Sequence, residues 1–223
     1  MAGLTSCELE IAGERVELRG DRTMFWPRLG LLAVADVHLG KTESYRGQGV
    51  ALPDGVMHDD LVRLAAAVED SGARRLVVIG DLVHDAAGVT PTVRETLLRW
   101  RQTIPCELDL VLGNHDRRLK AMPDEWRLAI HDPHLVVEGH AFAHERPVAG
   151  RFTWLGHVHP VARLHHGHDS IRVPCFHLRL ESAILPAFTS FTTGAPIDPQ
   201  PGERVIVAAQ GKAFDVTRMV VPR

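Results

Sequence analysis

The sequence predicts an α/β fold in which a second, strand-rich sheet packs on a first sheet flanked by helices. Two observations lead to this prediction. In the first half of the chain, three apolar runs alternate with two segments of helical periodicity, which is typical of parallel strands joined by helices. In the second half, short apolar runs interrupted by glycine and proline indicate further strands. Since the chain has 223 residues and no repeats or long linkers, we expect one domain over residues 1–223.

The elements of the first half follow from their patterns. In chain order they are a hairpin at 7–19, a buried strand at 30–35, a loop at 42–53, a helix at about 54–71, a strand at 75–79, a helix from Pro91 to about Arg101 and a strand at 108–112. Asp54 is expected to cap the first helix, and Gly72 to end it. Thr90 is expected to cap the second helix, with Pro91 at the first helical position, where its missing N–H costs nothing.

Composition and charge limit the classes of function. The formal net charge is −3, whereas a protein that binds nucleic acid through a broad cationic surface is usually basic. A phosphate-bearing substrate would therefore have to be bound by local charge or by metal. The three cysteines stand far apart, and the sequence has neither a secretory apolar segment at its start nor a run long enough to span a membrane. We therefore expect a cytoplasmic protein with no membrane association.

A polar cluster follows each predicted buried strand, and the second half of the chain contains two more. In chain order the clusters contain Asp36 and His38, Asp81, Asn114 with His115 and Asp116, His140 and His144, and His157 and His159. Alternate residues of an extended chain point to the same side, so Asp36 and His38 are expected to face one point, as are His157 and His159. His140 and His144 are an even number of residues apart, so alternation along a strand does not distinguish between them. The His-Glu-x-Pro context favours His144 as the site residue.

Together the clusters offer enough donors for two metal ions. The candidate ligands among them are two carboxylates, one amide and four imidazoles, namely Asp36, His38, Asp81, Asn114, His144, His157 and His159. Such mixed oxygen and nitrogen ligation without thiolates suits Mn, Fe, Zn or Co. Two neighbouring cations need a bridging anion, which an aspartate can provide. Metal ions of this kind lower the pKa of bound water, so that hydroxide exists near neutral pH, and they polarise a phosphoryl centre. The chemistry expected is hydrolysis of a phosphate ester.

The ordered series of motifs resembles the calcineurin-like metallophosphoesterase superfamily. The motifs are Asp36-x-His38, Gly80-Asp81, Gly113-Asn114-His115-Asp116, His144 and Gly156-His157-x-His159. The resemblance implies a four-layer αββα sandwich with two mixed β-sheets. It also implies one metal held by Asp36, His38, Asp81 and His159, and a second held by Asp81, Asn114, His144 and His157, with Asp81 bridging. A hydroxide bridging the metals would be the nucleophile. His115, paired with Asp36 or Asp116, would contact the phosphate and assist the leaving group, so that His115 and Asp116 are expected to be catalytic residues.

A closer resemblance covers nearly the whole chain and is to the bacterial DNA-ligase-associated metallophosphoesterases. It rests on residues 35–41, Arg46, Gly49, and residues 80–84, 144–147, 156–160, 174–176 and 185–188. The one small departure is Glu145-Arg146-Pro147, where Glu-Pro directly is expected. The resemblance implies a manganese-dependent single-strand DNA endonuclease of DNA repair, associated with a DNA ligase, a helicase and an exonuclease. The apolar segments Ala183–Phe188 and Val205–Ala209 belong either to the core or to the surface of a homodimer.

Residues beside the motifs carry weaker signals. His84 lies three residues beyond Asp81 and is expected to contact the scissile phosphate or the nucleic-acid strand; the alternative is a loop histidine bonded to backbone. Arg46 and Arg117 are candidates for binding flanking phosphates, although lone arginines are more often solvated surface residues. The His-rich stretch at 165–168 is expected to be a surface turn.

The sequence therefore predicts a metal-dependent phosphodiesterase, with single-stranded DNA as the favoured substrate. One alternative is a phosphomonoesterase or nucleotide or cyclic-nucleotide phosphatase that uses the same site. A second alternative is a non-catalytic scaffold that keeps the fold, although such chains usually lose ligands and this one has the full set. The motifs predict phosphate and metal, but they do not distinguish DNA from RNA, nucleotide or phosphoprotein.

Overall fold

The computed structural model describes residues 4–119, 122–166 and 169–220, which form two β-sheets packed face to face. The first sheet contains, in both chain and spatial order, β1 (Ser6–Ile11), β2 (Glu14–Arg19), β3 (Met24–Trp26), β4 (Leu31–Ala35), β5 (Arg75–Ile79), β6 (Glu107–Val111) and β7 (Ala129–His131). Strands β1 to β4 pair antiparallel, and β4 to β7 pair parallel. The carboxyl ends of β4, β5 and β6 therefore meet at one edge of this sheet.

The second sheet is built from the second half of the chain. Its strands are β8 (His134–Val137), β9 (His140–Ala143), β10 (Thr153–Leu155), β11 (Pro160–His166), β12 (Asp169–Leu178), β13 (Ser182–Ile184), β14 (Ala195–Pro196), β15 (Arg204–Ala209) and β16 (Lys212–Asp215). Strand β10 lies between β9 and β13 and runs parallel to both, while the other strands pair mostly antiparallel. The sheet is therefore mixed, as the sequence resemblance implied.

The described residues contain four α-helices. They are α1 (Lys41–Gly47), α2 (Val56–Ser71), α3 (Pro91–Thr103) and α4 (Thr217–Val220). As expected, α2 ends at Gly72 in the left-handed conformation, and the Thr90 side chain caps α3 by accepting from the Val93 amide at 3.3 Å. The residue before α2 is Gly55, in the left-handed conformation, and the side chain of Asp54 pairs with Arg46 instead of capping the helix.

Helix α1 is the main difference from the sequence expectation, which placed a loop at residues 42–53. Its seven residues are too few for a helix that is stable alone, so local propensity gives little signal for it. Tertiary contacts hold it in place: the Ser44 hydroxyl donates to Asp85 at 2.6 Å, and Gly40 packs directly against Gly88. A side chain at Gly40 would meet the Gly88 carbonyl oxygen at 2.4 Å, so this approach requires glycine.

Two apolar layers contain most of the buried apolar side chains. One lies between the sheets and includes Trp26, Phe142, Trp154 and Phe176; the other lies between the first sheet and helices α2 and α3. The apolar segments 183–188 and 205–209 lie mainly inside these layers and in a third cluster on the second sheet, so they are core and not an exposed dimer surface. On the second sheet, the only helix among the described residues is α4, a single turn.

The predicted fold class, an α/β sandwich of two mixed sheets, is confirmed. The assignment of residues 1–223 to one domain stays a prediction. Of the His-rich stretch at 165–168, residues 167 and 168 and the side chain of His166 lie outside the described part of the chain. None of the helices described is both long enough and apolar enough to cross a membrane.

Candidate metal centre

The site lies where strands of both sheets end. Asp36 and His38 follow β4, Asp81 follows β5, Asn114 follows β6, His144 follows β9, and His157 and His159 follow β10. All these residues leave their strands at carboxyl ends, the edge at which α/β sheets bind ligands. The structure thus brings together the seven residues that the sequence predicts as ligands.

The first group of possible ligands consists of Asp36, His38 and His159, whose donor atoms all lie within 4.8 Å of one another. His38 Nε2 and His159 Nε2 are 3.1 Å apart, and His159 Nε2 is 3.3 Å from Asp36 Oδ1. Nδ1 of His159 is occupied by a hydrogen bond with the Thr192 hydroxyl at 3.0 Å. Two imidazole nitrogens and a carboxylate oxygen therefore point at one small volume, as ligands of a cation do.

The second group consists of Asp81, His144 and His157, with Asn114 between them. His144 Nε2 is 3.4 Å from Asp81 Oδ2 and 3.2 Å from Asn114 Oδ1, and His157 Nδ1 is 3.0 Å from the same amide oxygen. The amide oxygen thus lies between two imidazole nitrogens. A neutral donor suits this position because the site is already rich in charge from its carboxylates.

Asp81 connects the two groups. Its Oδ2 atom lies 3.4 Å from His144 Nε2 in the second group and 3.9 Å from His38 Nε2 in the first. The other carboxylate oxygen accepts the His115 amide at 2.9 Å, while the His157 amide donates to Asp36 Oδ2 at 2.9 Å. Each carboxylate is therefore oriented by a backbone donor from another motif.

The glycine that precedes each of three motifs makes room for a side chain from a different motif. A Cβ atom at Gly80 would lie 2.0 Å from His144 Nδ1, one at Gly113 would lie 2.1 Å from Asp81 Oδ1, and one at Gly156 would lie 3.0 Å from Asp36 Oδ2. Such distances exclude any side chain at the first two positions unless the site itself shifts. The glycines are thus part of the site's construction.

The backbone of the site is strained. Five of the seven residues have left-handed backbone torsion angles, with φ between 51° and 69°. They are Asp36, His38, Asp81, His157 and His159. None is glycine, and each such residue costs of order 1 kcal/mol or more, so strain concentrated at this edge is typical of a functional site.

The protonation of the histidines fits metal ligation. Burial lowers the pKa of His38 to about 2, so its ring is neutral. Nδ1 of His144 donates to the Ile79 carbonyl at 3.1 Å, which directs Nε2 toward Asp81 and Asn114. Burial opposes charging of His144, but the hydrogen bond to Asp81 and the charges of Asp36 and Asp81 raise its pKa to about 9. These carboxylates therefore attract a positive charge, which a metal ion would supply in place of the proton.

The choice between the two neighbouring histidines is resolved by position. His144 stands in the second ligand group, whereas His140, at the start of β9, lies within the apolar layer between the sheets. His140 accepts a hydrogen bond from Trp154 Nε1 at 3.3 Å, and its ring packs against Trp26 with centroids 4.7 Å apart.

His115 and His84 form a third cluster with His38 beside the ligand groups. The His115 and His84 rings stack with centroids 4.8 Å apart, and Nδ1 of His115 donates to the backbone carbonyl of His84. His115 Nε2 consequently faces the site, 3.9 Å from Asp81 Oδ2. The expected pairing of His115 with Asp36 or Asp116 does not occur, because the carbonyl of residue 84 occupies the ring nitrogen that would make it.

Asp116, predicted as catalytic, lies beneath the site. Its carboxylate accepts the Gly113 amide at 3.0 Å and the Val83 amide at 3.1 Å, and the side chain is buried. Burial raises the pKa of Asp116 to about 6. The structure thus places this carboxylate in the turn that presents Asn114 and His115, without contact to the space that a substrate would enter.

The two candidate arginines are engaged by other groups. Arg46 bonds the carbonyls of Leu52 and Pro53 and forms an ion pair with Asp54 at 2.9 Å. Arg117 pairs with Asp132 at 2.8 Å. The structure therefore does not support their expected role in binding phosphate, because their guanidinium donors already have partners within the chain.

Sequence reasoning assigned no role to several residues at the rim of the site. Tyr45 stacks on His84 with ring centroids 5.7 Å apart, Phe191 lies 6.4 Å from Tyr45, and Thr192 bonds His159. Phe191 and Thr192 come from the stretch 190–193, which has no motif in the sequence. Tyr45 is the only tyrosine of the chain, and its place in a polar segment could have indicated a residue near the site.

Among the solved structures that are similar to this chain are a nuclease and a phosphoesterase. The crystal structure of the nuclease MPE of Pseudomonas putida has a TM-score of 0.84 and 29% sequence identity, covering 95% of this chain and all (100%) of that one. Yfce, a phosphoesterase from E. coli, has a TM-score of 0.41 and 17% identity, covering 84% of this chain and 98% of that one, and is too distant to support an argument. No family model and no curated protein sequence matches the chain.

The likeness to the P. putida nuclease agrees with the enzyme class that the sequence predicts. The recognition of a metallophosphoesterase is confirmed, as is the enzyme class, a metal-dependent phosphoesterase. The donor groups described above fit divalent metal ions.

Proposed function

We propose that this chain, which has the fold of a metallophosphoesterase, is a manganese-dependent phosphodiesterase that cuts single-stranded DNA. The observation that carries the proposal is the meeting of two donor groups at Asp81, which lies 3.4 Å from His144 in one group and 3.9 Å from His38 in the other. Two divalent ions held side by side would lower the pKa of a water molecule and polarise a phosphoryl centre. Phosphoryl transfer is the chemistry that such a pair serves best.

The proposed ligands divide between the two ions as the donor groups do. One ion would be held by Asp36, His38, Asp81 and His159, and the other by Asp81, Asn114, His144 and His157. Manganese is the proposed ion because the sequence resemblance implies it. The mixed oxygen and imidazole donors, without thiolates, suit Mn and equally Fe, Zn and Co, which are the alternatives.

His115 is proposed to hold the proton that the leaving oxygen receives. Its Nδ1–H group is committed to the His84 carbonyl, so Nε2 is the ring atom available to a substrate. The ring is half-buried and stands beside the donor groups, outside both sets of proposed ligands. A protonated Nε2 there can donate to an ester oxygen and so make it a better leaving group.

An extended strand is favoured as substrate by the openness of the site. Asp36 and Asp81 are buried at its floor, whereas His157 is exposed and His115 half-buried at its rim. A centre on an open edge can accept a phosphodiester in the middle of a long chain. The likeness to a protein described as a nuclease supports the same substrate class.

The cellular part of the proposal rests on the sequence resemblance. We propose a role in DNA repair, in the cytoplasm, in association with a DNA ligase, a helicase and an exonuclease; a homodimer also remains a proposal.

The decisive experiment is a nuclease assay on circular single-stranded DNA, duplex DNA and RNA, with Mn, Mg, Zn or Co added to the metal-free protein. We expect linearisation of single-stranded circles, fastest with Mn, and a loss of at least about 100-fold in His115→Ala. The matched control is His58→Ala, an exposed histidine of helix α2, which should cleave as the parent does. Intact circles with every metal would contradict the proposal.

The same assay separates the main alternative, a phosphomonoesterase or nucleotide phosphatase. Release of inorganic phosphate from mononucleotides, with circular DNA left intact, would favour that activity. Cleavage of RNA with an efficiency equal to that of DNA would broaden the substrate class without changing the chemistry.

A further inference from the structure

A groove of about 530 Å³ opens beside the metal centre. One wall is helix α1 and the segment after it, with Lys41 and Tyr45; the other wall is the segment 190–193, with Phe191. Both aromatic rings are only partly buried, so each presents surface to the groove. None of these residues belongs to the proposed ligand sets.

The groove is joined to the centre by two contacts. Tyr45 stacks on His84 with centroids 5.7 Å apart, and His84 stacks in turn on His115 at 4.8 Å. On the opposite wall, Thr192 bonds His159 at 3.0 Å. A molecule whose phosphate lies at the centre would therefore have its neighbouring group at the mouth of this groove.

The rings are arranged to receive a flat group. Tyr45 and Phe191 have centroids 6.4 Å apart and an interplanar angle of 72°, so they form a corner that offers one ring face and one ring edge. A planar heterocycle can stack on the face and meet the edge, the two favourable aromatic geometries. Lys41 Nζ lies 5.8 Å from the Phe191 ring and adds a positive charge, while the hydroxyls of residues 190, 192 and 193 offer donors and acceptors at the margin.

Both walls are held in place before a ligand binds. The Phe191 amide donates to the Thr189 hydroxyl at 3.2 Å, and that hydroxyl donates to the buried carboxylate of Asp60 at 2.9 Å. Asp60 also accepts the Ser190 amide. On the other wall, Arg46 ties α1 to the carbonyls of residues 52 and 53. Walls that are already ordered lose little entropy when a ligand is bound.

We propose that this groove is a nucleobase subsite, in which the base next to the scissile phosphate stacks against Tyr45 and Phe191. The inference rests on the proposed function, since it assumes a nucleic-acid substrate. Stacking on rings is tolerant of sequence, and it requires a base that is not already paired and stacked in a duplex. The subsite would thus select single strands over double strands without reading their sequence.

The first test measures binding without cleavage. A single-stranded oligonucleotide containing 2-aminopurine is titrated with the full chain in chelator, and the quenching of its fluorescence reports stacking. We expect Phe191→Leu, which keeps apolar volume but removes the ring, to lose most of the quenching and to bind about tenfold more weakly. Phe214→Ala, which removes an exposed ring on β16, is the matched control and should bind as the parent does. Equal quenching in Phe191→Leu and the parent would overturn the inference.

The second test uses two small diesters with manganese present: thymidine 5′-(p-nitrophenyl phosphate), which carries a base, and methyl p-nitrophenyl phosphate, which does not. In Phe191→Leu, we expect the loss of kcat/KM to be about tenfold larger for the base-bearing ester. The subsite would be refuted if the parent enzyme hydrolysed both esters with the same kcat/KM and if Phe191→Leu left the ratio of the two kcat/KM values unchanged. The proposed function would remain intact in that case. A parent that cuts neither ester nor DNA would refute the proposed function, and the binding test would still decide the subsite.

Discussion

At the scale of single residues, the site depends on glycines, which have no side chain, as much as on its polar side chains. Gly80 and Gly113 have no Cβ because His144 and Asp81 occupy that space. His38 and His159 hold left-handed torsion angles that side-chain-bearing residues rarely adopt. The recurring pattern of glycine followed by a polar residue thus has a steric cause that only the assembled site reveals.

Asp116 offers a first prediction at this scale. Replacing it with alanine removes the acceptor of two buried amides, those of Gly113 and Val83, so we expect the free energy of unfolding to fall by about 2–4 kcal/mol. Urea denaturation of the metal-free protein measures this. Asp132→Ala, which breaks only an exposed pair with Arg117, should cost less than about 1 kcal/mol. Similar small losses in both variants would argue against a structural role for Asp116.

His84 carries a second prediction. Its ring is half-buried between Tyr45 and His115, and its Nδ1 has no hydrogen-bond partner among the described residues. If His84 contacts a DNA strand, His84→Ala should lower the rate of DNA cleavage about tenfold more than the rate for a small activated diester. Parallel assays of the two substrates decide this, and an equal loss on both would show that the ring only supports the site.

Cys175 provides a prediction about pH. Burial raises the pKa of this thiol from 9.0 to about 12, so between these values the unfolded chain binds fewer protons than the folded one. Stability should therefore fall as pH rises above 9, with Cys175 contributing up to about 1 kcal/mol per pH unit. Urea denaturation at pH 8, 9 and 10 should give a shallower decline in Cys175→Ala. Identical slopes in the two proteins would contradict the shift.

At the scale of elements, short segments anchored by polar contacts shape the surroundings of the site. Helix α1 and the segment 188–193 have weak local signals. Helix α1 is held by Asp85 and by the carbonyls of residues 52 and 53, and the segment 188–193 is held by the buried carboxylate of Asp60. By contrast, α2 and α3 show helical periodicity and end signals that can be read in the sequence, and they pack on the first sheet as expected. Long elements follow local patterns, whereas short ones follow their tertiary partners.

Asp60 tests this dependence. Its buried carboxylate on α2 receives Arg63 at 2.6 Å, the Thr189 hydroxyl at 2.9 Å and the Ser190 amide. We expect Asp60→Ala to lower the free energy of unfolding by about 2–4 kcal/mol, because the buried Thr189 hydroxyl, the Ser190 amide and the Arg63 side chain lose a shared acceptor. Thermal or urea unfolding measures the loss, and Asp59→Ala, at the neighbouring exposed position, is the control. A loss no greater than that of the control would show that the segment is held by other contacts.

At the scale of the whole molecule, the proposed ligands are divided between the two sheets. Asp36, Asp81 and Asn114 follow strands of the first sheet, while His144, His157 and His159 follow strands of the second. A metal ion bound by this set would therefore cross-link the two halves of the chain. Because the set exists only in the folded state, metal binding would stabilise that state.

This arrangement predicts metal-linked stability. At a concentration of Mn²⁺ 100 times its dissociation constant, the folded protein should gain about 2.7 kcal/mol, seen as a rise in the melting temperature. His157→Ala should reduce the rise, and His58→Ala, outside the site, should retain it. A melting temperature that does not respond to any divalent metal after chelator treatment would count against a metal centre.

Most of the long elements and all seven proposed ligands could be named from the sequence, because periodicity, end signals and ordered motifs are local properties. The side-chain pairings could not. Arg46 and Arg117 were expected to bind phosphate and Asp116 to pair with His115. In the structure Arg46 pairs with Asp54, Arg117 pairs with Asp132, and Asp116 accepts a buried amide. Proximity along the chain indicates which residues are near a site, but it does not reveal their orientation.

The sequence by itself determined the order of the polar clusters that follow the strands, and hence the chemistry of the donors. Residue type and spacing are enough to specify both. Only the tertiary structure decided that His140 packs between the sheets, that His115 is held by the His84 carbonyl, and that Tyr45 and Phe191 line a groove beside the site. The physical reason is that these relations arise from packing between segments up to 146 residues apart, as for Tyr45 and Phe191, and no local pattern encodes such distances.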